Sequence, residues 1–278
     1  AMRVPGTRKS LLQAKADGCD VRMVYSPMDA LNLARRQPTR EVVFFALGFE
    51  TTMPSTALTL LQAAREGLNN FSLFCNHITT PATMRAILTD PDLTLDGFLA
   101  PGHVSMVIGT QPYDFVVHDY HKPVVITGFE PLDILQALWL LLKQVSEQRA
   151  AVENQYARIV PIQGNNAGLA AIQQVYEVRA HSEFRGLGNI GDAGIKIRAN
   201  YAAFDAEQKF PLAKAISAPA TETLKCAEVL RGVLKPWQCP AFASTCNPQT
   251  PLGALMVSPE GSCAAYYAYG KLGKGTHQ

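Results

Sequence analysis

A unit made of an apolar strand, a short polar turn and a helix recurs about four times in this chain, and no other feature limits its fold as strongly. The strands are predicted at residues 42–47, 71–75, 97–100 and 124–127. The first is a continuous apolar run, which is typical of a strand covered on both faces. Strands that alternate with helices predict an α/β fold, in which a parallel sheet built from Rossmann-like βα units has helices on both faces.

Capping residues place the helices around these strands. Ser10 is expected to cap a short helix. Ser26-Pro27 is expected to start a second helix, with Pro27 in its first turn. Thr52 is the predicted N-cap of the helix that follows the first strand. A short β-like run is predicted at residues 20–25, and a long helix is predicted from about residue 132 to residue 156.

Polar residues follow the strands where the turns begin. In parallel sheets the carboxyl ends of the strands form one edge, and ligands bind there. The residues predicted to line this cleft are Glu50, Thr51, Thr52, Cys75, Asn76, His77, His103, Ser105 and Glu130. Glu50 is the candidate acid, for proton transfer or for binding a partner's ligand group. Thr51 and Thr52 are candidates for hydrogen bonds to a small anion.

Each of these polar residues also has a purely structural interpretation. The two Gly-Phe-Glu sequences place Glu50 and Glu130 at predicted helix N-termini, where the helix dipole stabilises an acid. His103 lies in a turn, where a histidine is commonly a hydrogen-bonded structural residue. Cys75 and His77 are two residues apart, so both face the cleft only if the strand extends through His77.

Four of the six cysteines lie within 38 residues near the carboxyl end, at Cys226, Cys239, Cys246 and Cys263. Thiolates gathered in a segment stiffened by proline suit zinc or an iron–sulfur cluster. A structural zinc site usually has a tight Cys-x2-4-Cys knuckle, and none occurs here. The spacing also matches no standard ferredoxin. Spacing alone therefore leaves three alternatives: a cubane cluster, a zinc ion, or plain buried cysteines.

Composition excludes some classes of partner. The chain has 278 residues, a net charge of +2 and no run rich in lysine or arginine, so nucleic acid is not an expected partner. The longest apolar run, residues 134–142, is too short to span a bilayer and predicts a buried helix. We therefore expect a cytoplasmic protein with reduced cysteines. The glycine-rich residues 185–191 lack the Gly-x-Gly-x-x-Gly order of a dinucleotide loop.

Several motifs, taken together and in order, resemble the HypD family of hydrogenase maturation factors. The motifs in the first half are Gly48-Phe49-Glu50-Thr51-Thr52, Pro101-Gly102-His103-Val104-Ser105 and Gly128-Phe129-Glu130-Pro131. Those in the second half are Glu153-Asn154-Gln155-Tyr156, Arg185-Gly186-Leu187-Gly188 and the tail with Cys239-Pro240, Cys246-Asn247-Pro248 and Cys263-Ala264. The resemblance covers essentially the whole chain.

This resemblance implies a scaffold on which an iron atom receives cyanide and carbon monoxide before insertion into [NiFe]-hydrogenase. The implied partners are a HypC-type chaperone, a HypE-type cyanide donor and, indirectly, the hydrogenase large subunit. It also implies a [4Fe-4S] cluster that supplies or relays electrons. Its ligands would be Cys226, Cys239, Cys246 and Cys263. Such a protein is an accessory scaffold rather than a conventional enzyme.

The sequence departs from the family pattern in one respect. The family's Cys-Gly-Gly-His and Gly-Pro-Gly-Cys-Pro-x-Cys motifs do not occur, and the first of them supplies the thiolate thought to hold the iron. We therefore expect a fragment that begins after both motifs. Its predicted units are residues 1–37, the remnant of a first α/β domain; residues 38–155, a second α/β domain; and residues 156–278, a mixed, loop-rich iron–sulfur domain.

Two other classes of function fit parts of the sequence. A small-molecule α/β enzyme would use Glu50, His77 and His103 as acid–base groups and would turn over without a partner protein. A zinc-stabilised interaction domain would bind one zinc ion and no iron through the four cysteines.

Overall fold

A computed structural model of the chain describes residue 2 and residues 9–184, 188–210 and 224–270. The helices of the first half are α1 (Leu11–Ala16), α2 (Pro27–Arg36), α3 (Met53–Arg65), α4 (Thr80–Leu88), α5 (Gly102–Ile108), α6 (Asp114–Tyr120) and α7 (Pro131–Ser146). The helices of the second half are α8 (Asn166–Val175), α9 (Ala206–Lys209), α10 (Cys226–Leu230), α11 (Ala254–Val257) and α12 (Ser262–Tyr269). Short 3₁₀ helices lie at Gln111–Tyr113, Ala199–Phe204 and Pro236–Gln238.

The strands form two parallel sheets and one antiparallel hairpin. They are β1 (Val42–Gly48), β2 (Phe71–His77), β3 (Phe98–Pro101), β4 (Val124–Thr127), β5 (Val152–Asn154), β6 (Tyr176–Phe184) and β7 (Gly188–Ile197). β1 pairs with β2, and β4 lies between β3 and β5; β6 and β7 form the hairpin. The predicted α/β fold with parallel strands and helices is confirmed, but the parallel strands are divided between two sheets.

The sequence signals for helix starts are confirmed for α1 and α2. The hydroxyls of Ser10 and Ser26 each accept a hydrogen bond, at 3.2 Å, from the backbone N–H three residues further on. Thr52 directly precedes α3 as predicted, but its side chain makes no capping hydrogen bond. Its hydroxyl donates instead to the carbonyl oxygen of Phe49 at 3.2 Å.

The first hydrophobic core combines distant parts of the sequence. Buried residues of α2, α3 and β2 pack there against Val175 of α8 and Ile195 of β7. Residues that the sequence assigned to three successive units therefore share one core. The division into units at residues 37 and 155 stays a prediction.

One face of β1 is open, although the sequence predicted a strand covered on both faces. Val43, Phe45 and Leu47 are 46%, 41% and 45% exposed. Side chains alternate between the two faces of a strand, and the intervening Val42 and Phe44 pack against the first core. An apolar run therefore identified the strand but not the number of layers that cover it.

Two other sequence predictions were wrong. Residues 20–25 form no strand, and Asp20 instead pairs with the side chains of Arg22 and Arg40. The long helix ends at Ser146, and Val152–Asn154 forms β5 beside β4. Gln148 has a φ of 51°, in the left-handed region, which helical continuation does not allow.

Of the glycine-rich stretch, residues 185–187 lie outside the described residues and Gly188 begins β7.

A backbone crossing joins the region of the second sheet to helix α8. The Thr110 N–H donates to the carbonyl oxygen of Ile162 (3.0 Å), and the Asn165 N–H donates to that of Val107 (2.9 Å). Asn165 also caps α8, because its side-chain oxygen accepts a hydrogen bond from the Gly168 N–H. α8 then packs against α3 in the first core, so this crossing positions the two sheets relative to each other.

Within the described residues, every helix is too short or too polar to cross a lipid bilayer.

Candidate functional site

The four clustered cysteines surround one cavity in the part of the structure that follows residue 224. Cys226 is the first residue of α10, Cys239 follows the 3₁₀ helix Pro236–Gln238, and Cys263 is the second residue of α12. Cys246 lies in the loop between them, where its N–H donates to the carbonyl oxygen of Ala241 at 2.9 Å. The remaining lining is mostly apolar and includes Leu224, Val229, Phe242, Leu255 and Met256. The fold therefore brings together cysteines that are separated by 12, 6 and 16 intervening residues in the sequence.

Glycine and proline make this convergence possible, as the sequence indicated. A Cβ atom on Gly253 would lie 2.4 Å from the Cys226 Sγ, so only glycine allows the backbone to pass there. Pro240 lies in a turn closed by a hydrogen bond from the Phe242 N–H to the carbonyl oxygen of Cys239. Pro248 lies in a bend between Asn247 and Thr250. These residues fix the loops that carry the sulfur atoms.

The surroundings of Cys226 and Cys263 disfavour the thiolate forms of these two side chains. Burial and, after it, the neighbouring cysteines raise the pKa of the Cys263 thiol to about 12. Burial and the thiols of Cys246 and Cys239 also raise the pKa of Cys226. Hydrogen bonds from the backbone N–H groups of Leu255 and Ala254 lower it, but by less. Together these thiols would ionise only with a positive partner among them.

The four sulfur atoms are grouped around a shared cavity. No three histidine, cysteine, aspartate or glutamate side chains in the described ranges are grouped as a site for a single metal ion. All four sulfurs nevertheless line the same cavity. Soft sulfur donors in an apolar wall suit zinc or an iron–sulfur cluster.

The second candidate site, at the carboxyl ends of the strands, is partly buried. Glu50 is 4% exposed, and its carboxylate accepts hydrogen bonds from the Thr80 N–H and the Thr80 hydroxyl, both at 2.8 Å. Burial raises the pKa of Glu50, while these hydrogen bonds lower it. Thr80 begins α4, so Glu50 stabilises the N-terminus of α4 rather than that of α3, to which the sequence assigned it.

Ser105 lies in the same buried junction as Glu50. Its hydroxyl donates to the carbonyl oxygen of Pro101 (2.9 Å) and accepts from the hydroxyl of Tyr113 (3.0 Å). Burial raises the pKa of Tyr113 to about 12, and the charge of Glu50 contributes to the rise. Tyr113 is fully buried and was not among the predicted residues. No local pattern distinguishes it, because its partners lie on other elements.

Cys75 and His77 face the core. β2 extends through His77, so both side chains do point to one face, with the Cys75 Sγ 3.8 Å from the His77 Nδ1. That face is the buried one: Cys75 is 5% exposed and His77 is 1% exposed. Burial raises the pKa of Cys75 to about 11 and lowers that of His77 to about 4. At neutral pH the pair is an uncharged thiol beside an uncharged imidazole.

Acidification is expected to destabilise the fold through His77. Its pKa is about 4 in the folded chain and about 6.5 when unfolded, so the unfolded state binds the proton more readily. The free energy of unfolding should therefore fall as the pH drops from about 6.5 to about 4, by roughly 3 kcal/mol in all. Urea unfolding of the wild type and of His77→Gln at pH 7 and pH 5 measures this. An equal loss in both proteins would contradict the assignment.

The remaining predicted residues are exposed. Thr51, Thr52, Glu130 and Asn76 lie at the surface, and His103 stacks on Phe129 with ring centroids 4.6 Å apart. Glu130 precedes α7 without a side-chain capping bond. The structure thus separates the predicted cleft set into a buried junction around Glu50 and Ser105, a core pair at Cys75 and His77, and an exposed group around His103.

An ion pair that the sequence did not reveal fixes the turn after β4. Asp133 is 5% exposed, and both of its carboxylate oxygens accept from Arg158, at 2.8 and 2.6 Å. The Gln155 side-chain amide donates to the same carboxylate at 2.9 Å. These hydrogen bonds and the positive charge lower the pKa of Asp133. They link the Gly-Phe-Glu-Pro motif to the Asn-Gln-Tyr motif about 25 residues later.

Comparison with known proteins agrees with this arrangement of motifs. The family model HypD, described as the hydrogenase formation hypA family, matches residues 1–270. The hydrogenase maturation factor HypD of Rhodobacter capsulatus is 60% identical over 273 residues, which are 97% of this chain and 72% of that protein. The HypD of Escherichia coli (strain K12) is 55% identical over 275 residues, with the same coverage of both chains. The HypD of Rhizobium leguminosarum bv. viciae is 50% identical over 277 residues, again with 97% and 72% coverage. The chain therefore belongs to the HypD family, and it acts in the maturation of hydrogenase.

Proposed function

We propose that this chain is a scaffold for the assembly of the iron centre of [NiFe]-hydrogenase, and that its four clustered cysteines bind a [4Fe-4S] cluster. The single observation that carries the proposal is the convergence of Cys226, Cys239, Cys246 and Cys263 on one apolar cavity in a chain of the HypD family. When bound, the cluster would accept and donate single electrons. In a reducing cytoplasm the cysteines stay available as ligands.

The polypeptide would contribute a dry and shaped site. Apolar side chains such as Leu255 and Met256 exclude water, and a bound cation would offset the raised pKa values of the Cys226 and Cys263 thiols. The backbone N–H groups of Leu255 and Ala254 stabilise the thiolate of Cys226. Hydrogen bonds to ligand sulfur of this kind raise the reduction potential of a cluster.

The iron atom that receives cyanide and carbon monoxide is cargo in this proposal. A HypC-type chaperone would hold it together with the scaffold, a HypE-type donor would supply cyanide, and the hydrogenase large subunit would receive it. The exposed group around His103 and the edge that carries Thr51 and Thr52 are the surfaces proposed to face that cargo.

Metal and acid-labile sulfide analysis of the anaerobically purified chain, with a Mössbauer spectrum, tests the cofactor. A [4Fe-4S] cluster predicts about four iron atoms and four sulfides per chain. A content of one zinc ion and no iron per chain would mean that the site has a structural role and not a role in electron transfer. An enzyme acting alone has less support, because Glu50 and His77 are both buried.

Glu50 and His103 are proposed to act in assembly and not in binding the cluster. Glu50→Gln removes the charge and keeps an oxygen that accepts from the Thr80 N–H, while its amide N–H can donate to the Thr80 hydroxyl, so the free energy of unfolding should change little. His103→Ala removes an exposed ring that stacks on Phe129. In the full-length protein, both variants should keep the full iron and sulfide content but yield less active hydrogenase. Normal hydrogenase activity in both would assign the two residues to structure alone.

A further inference from the structure

Two pairs of aromatic side chains join the loop around Cys239 to helix α12. Trp237 contacts Tyr266 edge to face, with ring centroids 5.1 Å apart, and Phe242 contacts Tyr267 in the same manner at 6.3 Å. Trp237 lies two residues before Cys239, and Phe242 lies three residues after it. The two pairs therefore flank this cysteine in the sequence.

These pairs lie where the cysteine cavity meets solvent. Cys226, Cys246 and Cys263 are buried, whereas Cys239 is only half-buried. Phe242 lines the cavity itself, and its partner Tyr267 is 40% exposed. On the Cys239 side, the path from solvent to the cavity therefore runs past an inner ring and an outer ring.

The loop is folded back on itself beneath these rings. The Phe242 N–H donates to the carbonyl oxygen of Cys239, and the Cys246 N–H donates to that of Ala241, both at 2.9 Å. Both hydrogen bonds are internal to the loop. Aromatic contacts with α12, together with apolar packing in the small core that includes Ala241, Cys246 and Cys263, hold this side of the loop against the helix that carries Cys263.

We propose that Trp237, Phe242, Tyr266 and Tyr267 form an aromatic wall that closes the four-cysteine cavity to solvent on the Cys239 side. In this arrangement Phe242 is the inner ring and Tyr267 is the outer ring that contacts it, while Trp237 and Tyr266 join the residues before Cys239 to the same helix. They are positioning residues, because none of them is a ligand. The inference rests on the proposed function only where iron is concerned, since closure of the cavity is a property of the polypeptide.

Alkylation of the metal-free protein by iodoacetamide, followed for each cysteine by mass spectrometry, tests the wall without any cofactor. Loss of an aromatic contact should raise the frequency of local opening, and Phe242→Ala should therefore raise the alkylation rates of Cys239 and Cys246 by about three- to tenfold. Phe242→Tyr keeps a ring and should restore the slow rates. Trp237→Ala should act in the same direction, and it replaces Phe242→Ala if that variant does not fold.

The matched control is Trp139→Ala. Trp139 is 60% exposed, as against 58% for Trp237, but it lies on α7, away from the cysteines. Its alkylation rates should equal those of the wild type. Rates in Phe242→Ala and Trp237→Ala that equal the control would overturn the proposal.

A second measurement uses the protein with iron bound. The rate of iron loss to EDTA under anaerobic conditions should rise by about three- to tenfold in Phe242→Ala and stay unchanged in Trp139→Ala. Equal rates in the two variants would count against the wall. If the wild type takes up no iron, the cofactor proposal fails and the alkylation rates alone decide on the wall.

Discussion

Replacing Cys246 with alanine is expected to reduce iron and acid-labile sulfide from about four each per chain to almost none. Cys246 is buried in the small core that it shares with Ala241, Met256 and Cys263, so a hydroxide that replaced the thiolate would have to enter a buried and largely apolar place. Without one of its four thiolates, the cluster would be bound by only three. These three lie on loops whose own conformation would depend on the bound cluster, so the cluster should be lost. The same loss is expected for Cys226, Cys239 and Cys263.

This loss should be accompanied by a loss of local stability. The core around the cysteines contains few buried residues, so much of the folding free energy of this part of the chain would come from binding the metal group. Limited proteolysis should cut the Cys246→Ala variant between residues 224 and 270, where the metal-loaded wild type resists.

Two other cysteines provide controls for this experiment. Cys75 is buried in the first core, and Cys19 is exposed near the amino end. Cys75→Ala and Cys19→Ser should keep the full iron and sulfide content. Retention of full iron and sulfide in Cys246→Ala would remove that residue from the ligand set, whatever the controls show.

Gly109→Ala is expected to lower the free energy of unfolding by roughly 3 kcal/mol or more. Gly109 has a φ of 80°, and a Cβ atom there would lie 2.2 Å from the carbonyl oxygen of Ile162 and 2.7 Å from the N atom of Gly164. These are backbone atoms, which cannot move aside as a flexible side chain can. The crossing that joins the second sheet to α8 would have to open.

Gly67→Ala separates the two contributions to this effect. Gly67 has a φ of 65°, but no atom lies within 4 Å of the position of its Cβ. Its substitution should cost only the conformational penalty of a left-handed residue, about 1 kcal/mol. Urea unfolding of both variants measures the difference. Equal losses of stability would mean that the crossing at Gly109 is not tightly packed.

Local chemistry made several elements predictable. Ser10 and Ser26 cap their helices because the donor and acceptor are three residues apart, which is information contained within one turn. The apolar runs that form β1, β2 and β4 were predictable for a similar reason, because a strand packed against a core shows up as a short run of consecutive apolar residues. β5 was missed because three residues of intermediate burial carry too little of this signal.

The strand-end residues show where local reasoning stops. The sequence placed Glu50 at the start of the helix that follows it. In the structure its carboxylate instead accepts hydrogen bonds from Thr80, 30 residues later. His77 lies on the face of β2 that the sequence could identify only as shared with Cys75. Whether that face points to solvent or to the core depends on α8 and β7, which arrive from about 100 residues further along the chain.

By itself, the amino-acid sequence determined the family, the types and order of the principal elements, and the four cysteines as a set, because each of these is encoded in short motifs and in periodicity. Only the tertiary structure decided that the parallel strands form two sheets, that the hairpin of β6 and β7 returns to the first core, and that the cysteines surround one cavity. The physical reason is that strand pairing and side-chain burial are contacts between distant segments, whose free energy depends on which surfaces meet.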